Sequence, residues 1–138
     1  MKLKLHHLNL CTTNVPELNT FYRDVLLLGD EDPAELPPIN ADRGLVGDVA
    51  FVTDGDIQLH LTKRDINNSF QSGHVVNPLE RGHIAYRTDD IQEFMAHLDA
   101  QGVPYSDWGS DAVKGWHQIF FYDPIGNVIE VHQRVDRD

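Results

Sequence analysis

Three histidines and one glutamate occupy repeated positions in this 138-residue chain. His7 and His83 each lie near the start of a short apolar stretch, and His60 and Glu130 each lie in a later one. Glu130 interrupts the apolar run "VIEV", and a buried carboxylate is costly unless it is paired or bound to a cation. Three imidazoles and one carboxylate suit a divalent first-row metal, so we predict a metal site at these four residues.

Each of these residues also has an ordinary interpretation. A single histidine in a strand is more often a hydrogen-bonded core or surface residue than a ligand. Glu130 could instead pair with His132, Arg134 or Lys114. The shared positions in two halves of the chain favour the metal. Whether His60 would bind the ion or act as a base stays open at this point.

The repeat that relates the four residues spans most of the chain. "HHLNLCTTNVPELNTFY" from His6 aligns with "GHIAYRTDDIQEFMAHL" from Gly82, at an offset of 76 residues. "VAFVTDGDIQLHL" from Val49 aligns with "IFFYDPIGNVIEV" from Ile119, at an offset of 70 residues. The smaller offset implies extra residues in the first copy. The Pro-rich and acidic segment 29–44 is the obvious place, and we expect a loop there that covers a site.

Each copy has the pattern of a strand, a helix and a hairpin. The spacings Asn14-x-x-Glu17 and Asp90-x-x-Glu93 are typical of capping boxes, and apolar residues follow each of them at helical spacing. We expect the first helix to end near Gly29 and the second near Gly102.

These elements predict one domain of the α+β class. Two paired βαβββ modules would form an open, barrel-like, curved mixed sheet with the helices outside. Module one would cover residues 1–62, a linker residues 63–81, and module two residues 82–138. A pseudo-twofold relation between the modules would bring the four candidate ligands to one cavity.

Composition and charge limit the possible partners. The chain has 11 Lys plus Arg against 22 Asp plus Glu, a formal net charge of −11. Nucleic-acid surfaces need positive charge, so we expect no nucleic-acid partner, and an anionic membrane is disfavoured for the same reason. The N-terminus lacks a signal-type apolar region, and no run is long enough for a membrane helix. We therefore expect a cytoplasmic protein whose partner is a small-molecule substrate.

The segments "LHHLNL", "QLHL", "RGHIAYRTDD" and "HQIFFYDPIGNVIEV" resemble the vicinal oxygen chelate superfamily, also called the glyoxalase/bleomycin-resistance family. The resemblance implies that His7, His83 and Glu130 are ligands of a divalent ion (Fe, Mn, Ni, Co or Zn). It also implies a homodimer. His60 departs from the pattern, because many glyoxalase I enzymes carry a glutamate at that position.

Members of this family bind two neighbouring substrate oxygens and stabilise developing negative charge. The resemblance therefore implies a metal-dependent, glyoxalase-like lyase or isomerase acting on a small molecule with vicinal oxygens. One alternative is an Fe(II) extradiol-type dioxygenase, and another is a non-enzymatic small-molecule-binding protein. His60 and Glu130 would be catalytic, and Tyr122 would serve as an acid or an orienting hydroxyl.

Strand alternation assigns further residues to the site. Asn9 would share the face of His7, and Arg87 would share that of His83. Arg87 would bind a substrate carboxylate or form an ion pair at the rim. His132 would contact Glu130, act as a base or lie at the surface.

The penultimate strand is ambiguous in phase. Related enzymes suggest that Gln118, Phe120 and Tyr122 face the pocket; the other phase would place His117, Ile119 and Phe121 there. The same alternation predicts that His6 points away from His7.

Overall fold

The computed structural model of the protein describes residues 2–37 and 48–136. Within these ranges seven strands form one sheet: β1 (Lys4–Thr12), β2 (Val49–Thr53), β3 (Gln58–Lys63), β4 (Gly82–Arg87), β5 (Ser106–Gly109), β6 (Trp116–Tyr122) and β7 (Val128–Arg134). Their spatial order is β2-β3-β1-β4-β7-β6-β5, with parallel and antiparallel neighbours. The predicted α+β class, with an open mixed sheet built from two modules, is confirmed.

The two central strands, β1 and β4, show the predicted pseudo-twofold in their register. They are antiparallel, with His7 opposite Ala85 and Asn9 opposite His83, two pairs that the 76-residue offset exchanges. β3 runs parallel beside β1, and β7 runs parallel beside β4. The last strand of each module is therefore the neighbour of the first, which brings the candidate ligands of both modules to the centre of the sheet.

Module two has the predicted order of one strand, one helix and three strands. In module one the described residues between the first helix and β2 contain no strand, and residues 38–47 lie outside the described residues. The loop predicted at 29–44 overlaps that gap. Its described part contains a 3₁₀ turn at Pro33–Glu35.

The three α-helices of the described chain are α1 (Val15–Thr20), α2 (Asn68–Ser72) and α3 (Ile91–Gln101). The side chains of Asn14 and Asp90 each accept the backbone N–H three residues later, at 3.1 and 3.0 Å, as expected of N-caps. The hydroxyls of Thr12 and Thr88 in turn accept the cap residues' own backbone N–H groups. The two modules thus begin their helices with the same hydrogen bonds.

The ends of the two helices differ. α3 stops at Gly102, which adopts a left-handed conformation with φ of 71°, as predicted. α1 ends earlier than the predicted Gly29 and continues only as a π-helical turn to Val25. Gly29 forms a β-bridge with Thr53, so the chain has to leave the helix before that residue.

Apolar side chains cover both faces of the second module's sheet. On the outer face α3 packs Ile91, Phe94 and Leu98 against Ile119 and Val131. Burying one such side chain contributes about 1.5–3 kcal/mol. On the inner face Trp108, Val113, Trp116 and Phe120 form a second cluster. Strand β6 therefore turns Phe120 inward and Ile119 outward, which settles its phase.

Candidate metal centre

Glu130 Oε1 lies between two imidazole nitrogens at the centre of the sheet. It is 3.0 Å from His83 Nε2 and 3.6 Å from His7 Nε2, and one ligand atom from each residue lies within 4.8 Å of the others. All three side chains are buried. Bonds of about 2.0–2.2 Å to one ion place neighbouring ligand atoms about 3–3.5 Å apart. The spacing therefore fits a single metal ion.

The hydrogen bond of His83 turns a lone pair toward this centre. Its Nδ1 lies 2.9 Å from the carbonyl oxygen of Pro78, which can only accept, so Nδ1 carries the proton. The Nε2 lone pair then faces Glu130 Oε1. That oxygen is buried and accepts no hydrogen bond from the described residues. In the neutral imidazole these two lone pairs lie 3.0 Å apart in a buried site, and a divalent ion between them would satisfy both.

His6 lies on the same face as His7, and the prediction that it points away is wrong. The register between β1 and β4 shifts between Leu5 and His7, as in a β-bulge, and a bulge interrupts strict alternation. The Nδ1 atoms of His6 and His7 are 2.8 Å apart. With His7 Nε2 directed at the metal position, its Nδ1–H donates to His6. The sequence shows two adjacent histidines but contains no signal for the bulge.

His132 is buried beneath the site, not at the surface. Its Nδ1 is 2.7 Å from Glu130 Oε2, and its Nε2 accepts a hydrogen bond from Arg87 Nε at 2.9 Å. Of the roles left open for these residues, the contact of His132 with Glu130 is present. Arg87 is turned to His132, with its guanidinium carbon 5.1 Å from the centre of the Trp116 ring.

The protonation states suit metal binding. Burial lowers the pKa of His7 to about 4, so this imidazole is neutral at pH 7. Burial by itself raises the pKa of Glu130, but attraction to His7 and the hydrogen bond from His132 outweigh it, and the pKa lies well below its usual value. Since His7 is uncharged at neutral pH, we attribute the ionised carboxylate there chiefly to His132. Neutral imidazoles and a carboxylate are the forms that bind a metal.

His60 lies beside the three ligands but is not one of the group. Its ring stacks on that of His7, with centroids 3.8 Å apart and an interplanar angle of 15°. Its Nε2 is 2.7 Å from Gln58 Oε1, while the Gln58 amide nitrogen donates to Glu35 O at 2.9 Å. His60 Nε2 therefore carries a proton and donates it to Gln58, which leaves Nδ1 unprotonated. Burial keeps the pKa of His60 well below 6.5.

A cavity of about 70 Å³ opens beside the three ligands. Its walls include Asn9, Gln118, Phe51, Trp116 and Phe120, and all but Phe51 are buried. A single water needs about 10–15 Å³ by this measure, so the space admits a small molecule or the reacting end of a larger one.

Tyr122, predicted to face this cavity, does not line it. Phe120 pairs with Glu130 across the strands, whereas Tyr122 pairs with Val128 at the end of β6. The side chain is 51% exposed there and lies beside a separate surface depression. Alternate residues of β6 face the cavity side as related enzymes suggest. The strand continues one cross-strand pair beyond the cavity wall, and Tyr122 belongs to that pair.

His6, His7 and His132 form a second group with metal-ligand spacing. This group competes with the first for its nitrogens. His132 Nε2 already accepts from Arg87, and His7 Nδ1 keeps its proton when Nε2 binds an ion. The candidate metal position is therefore the one between His7, His83 and Glu130.

The paired modules and the candidate centre of two histidines and one carboxylate define a class of α+β proteins. The family model of the Glyoxalase/Bleomycin resistance protein/Dioxygenase superfamily matches residues 4–131, and the chain belongs to this superfamily. The resemblance found in the sequence is thereby confirmed. No curated protein matches the sequence. No helix in the described ranges is long and apolar enough to cross a membrane.

Solved structures share the fold at low sequence identity. A hypothetical protein, BH1468 from Bacillus halodurans C-125, is 20% identical with a TM-score of 0.68, covering 100% of this chain and 99% of its own. Methylmalonyl-CoA epimerase from Mycobacterium tuberculosis is 18% identical with a TM-score of 0.66, covering 94% and 87%. A single-residue variant of Streptomyces coelicolor methylmalonyl-CoA epimerase, in complex with 2-nitronate-propionyl-CoA, is 19% identical with a TM-score of 0.65, covering 96% and 98%.

Proposed function

We propose that the protein is a metal-dependent isomerase or lyase that moves a proton on a small molecule with two neighbouring oxygens. The observation that carries this proposal is the buried Glu130 Oε1, which lies 3.0 Å from His83 Nε2 and 3.6 Å from His7 Nε2 beside a cavity. These three residues would hold the ion, which could be Fe, Mn, Ni, Co or Zn. A bound divalent ion would polarise the substrate oxygens and stabilise developing negative charge.

His60 is the candidate base of this reaction. Its Nδ1 is unprotonated because Nε2–H donates to Gln58 Oε1 at 2.7 Å. Gln58 is itself held by the carbonyl of Glu35, so the tautomer of His60 is fixed. A neutral, low-pKa imidazole is a weak base, and it would act on a carbon-bound proton only when the neighbouring oxygens are polarised.

The apolar walls of the cavity favour a reaction from which water is excluded. Phe51, Trp116 and Phe120 border the cavity, and a dry site strengthens electrostatic stabilisation of charge. The fold shared with methylmalonyl-CoA epimerases supports the reaction class, since an epimerase also moves a proton on carbon.

The proposal is tested by metal loading followed by turnover. The protein is stripped with a chelator, loaded separately with Ni(II), Co(II) or Zn(II), and assayed without oxygen on hemithioacetals and 2-substituted thioesters in deuterated water. We expect metal-dependent product formation or deuterium incorporation, both lost in His60→Gln although that variant still binds metal. Failure of the wild-type protein to bind any of these ions would contradict the proposal.

A second candidate is an Fe(II) extradiol-type dioxygenase. Two histidines and one carboxylate with open positions are typical of non-haem iron oxygenases, and the aromatic walls suit a planar catechol. Oxygen uptake with a catechol panel, after anaerobic loading with Fe(II), would favour this candidate. Tight small-molecule binding that a chelator leaves unchanged, without bound metal, would instead favour a non-enzymatic binding protein.

The homodimer and the cytoplasmic location stay predictions. Analytical ultracentrifugation at micromolar concentration tests the dimer. A single species at the 15.7 kDa monomer mass would contradict it.

A further inference from the structure

We propose that Arg87 and His132 are positioning residues that orient Glu130 toward the metal: Arg87 fixes the tautomer of His132, and His132 holds the far oxygen of the carboxylate. This inference rests on the metal site of the proposed function. It concerns residues that do not themselves face the cavity.

The direction of each hydrogen bond follows from the chemistry of Arg87. A guanidinium can only donate, so His132 Nε2, 2.9 Å from Arg87 Nε, has to be the acceptor. A neutral imidazole with an unprotonated Nε2 carries its proton on Nδ1. That N–H points at Glu130 Oε2, 2.7 Å away. Arg87, which is permanently charged, thus determines that Glu130 Oε2 accepts the hydrogen bond from His132 and that Oε1 is left for the metal.

The strand register places this chain of contacts. Arg87 and His132 are partners in the parallel pairing of β4 and β7, and Glu130 precedes His132 by two residues on the same face. The His132 ring stacks on Trp116, with centroids 4.0 Å apart and an interplanar angle of 14°. Both Glu130 and His132 are fully buried. The imidazole therefore has little freedom except in the position of its proton.

The other tautomer would disturb the centre. With the proton on Nε2, a lone pair of His132 Nδ1 would face Glu130 Oε2 at hydrogen-bond distance, and the carboxylate would have to turn away. Oε1 would then move from its place beside the Nε2 atoms of His7 and His83. Partners behind a metal ligand commonly change metal affinity about 10–100-fold when they are removed.

The test compares Co(II) affinity and the Co(II) absorption spectrum of the 138-residue protein and four variants. His132→Phe keeps a ring to stack on Trp116 and removes both hydrogen bonds. His132→Gln keeps one donor and one acceptor. Arg87→Met leaves His132 in place and removes the hydrogen bond that fixes its tautomer, together with the cation–π contact to Trp116. His74→Phe is the matched control, because His74 also stacks on a tryptophan and contacts a carboxylate, Asp111, outside the centre.

We expect His132→Phe to weaken Co(II) binding about 10–100-fold and Arg87→Met about 10-fold, with altered Co(II) spectra in both. His132→Gln should restore affinity to within a few-fold of wild type, and His74→Phe should leave it unchanged. If His132→Phe does not fold, Arg87→Met carries the test. Wild-type affinity and spectra in the folded His132→Phe or Arg87→Met proteins would overturn the inference alone. Wild-type protein that binds no Co(II) would overturn the metal site and the inference together.

Discussion

The last strands of the two modules carry their functional residue at the same repeat position, yet the two residues have different surroundings. In module two, Glu130 presents one oxygen to the histidines and is held through the other by His132, two positions later. In module one, His60 donates its N–H to Gln58, two positions earlier. The same backbone position thus holds a candidate metal ligand in one module and a candidate base in the other.

The residues behind these positions differ in the same way. Arg87 and His132 form a hydrogen-bonded pair across β4 and β7, and their repeat equivalents across β1 and β3 are Cys11 and Thr62, at 3.4 Å. Thr62 donates to Asn9 instead of supporting His60. The duplicated fold therefore gives the two side chains equivalent backbone positions. Their different hydrogen-bond partners, two residues away on the same strand, give them different roles.

The largest expected effect distinguishes the two equivalent positions directly. Glu130→Gln should reduce metal affinity by more than about 100-fold, beyond the usual effect of an outer partner, because it removes the only charged ligand of the group. His60→Gln should leave affinity within a few-fold of wild type. Isothermal titration with Co(II) checks both variants. Equal losses in the two variants would show that His60 is also a ligand and that the modules are functionally alike.

A second expected effect concerns the starts of β4 and β1. Gly82 has φ of 123°, and a Cβ there would lie 2.0 Å from the Asn9 carbonyl oxygen, where a backbone atom cannot move aside. Gly82→Ala should lower the free energy of unfolding by about 3 kcal/mol, measured by urea denaturation of the metal-free protein. His6, its repeat equivalent, has no such restriction.

His6→Ala should therefore change the free energy of unfolding much less, while weakening metal affinity about 10-fold through the loss of the hydrogen bond to His7. A Gly82→Ala protein as stable as wild type would contradict the close approach of the two central strands.

The pH dependence of the metal-free protein gives a third test. An unfolded histidine takes up a proton near pH 6.5, whereas His7 in the folded protein does so only near pH 4. Between these values the unfolded state binds more protons, so stability should fall as the pH falls, by about 1.4 kcal/mol per pH unit for each such histidine. His60 acts with the same sign, because burial also lowers its pKa.

Urea denaturation between pH 7.5 and 4.5 measures this slope. His60→Gln should reduce the slope by the contribution of about one proton, which is about 1.4 kcal/mol per pH unit. An unchanged slope in that variant would mean that His60 does not differ in protonation between the folded and unfolded states.

The smallest expected effect distinguishes the β6 residue that lines the cavity, Gln118, from the one that does not, Tyr122. Gln118→Leu should alter substrate binding, because the buried Gln118 Oε1 accepts no hydrogen bond from the described residues and lies in the cavity wall. Tyr122→Phe should change neither metal affinity nor turnover, because that side chain lies outside the cavity. Loss of turnover in Tyr122→Phe, with metal affinity kept, would restore its predicted role as an acid.

The repeat in the sequence was sufficient to predict the sheet and the convergence of His7, His60, His83 and Glu130. An offset of 76 residues implied that His7 and His83 are related, and the observed register of β1 and β4 follows that relation. The capping residues of both helices were equally readable, since their hydrogen bonds are local. These features depend on the repeat and on residues that are close in the sequence, and both can be read from a single sequence.

The errors arose where one side chain depends on distant ones. His6 reaches the site through a bulge that alternation cannot indicate. His132 is buried because Trp116 and Arg87 enclose it, and Tyr122 lies outside because the cavity ends one strand pair earlier. None of these facts is encoded in spacing along one strand.

The most direct test of the account is an anomalous-diffraction crystal structure of the protein loaded with Co(II) or Zn(II). We expect one ion per chain, bound at about 2.0–2.2 Å by His7 Nε2, His83 Nε2 and Glu130 Oε1, with His60 still hydrogen-bonded to Gln58. An ion held by His60, an ion among His6, His7 and His132, or no ion beside Glu130 would contradict it.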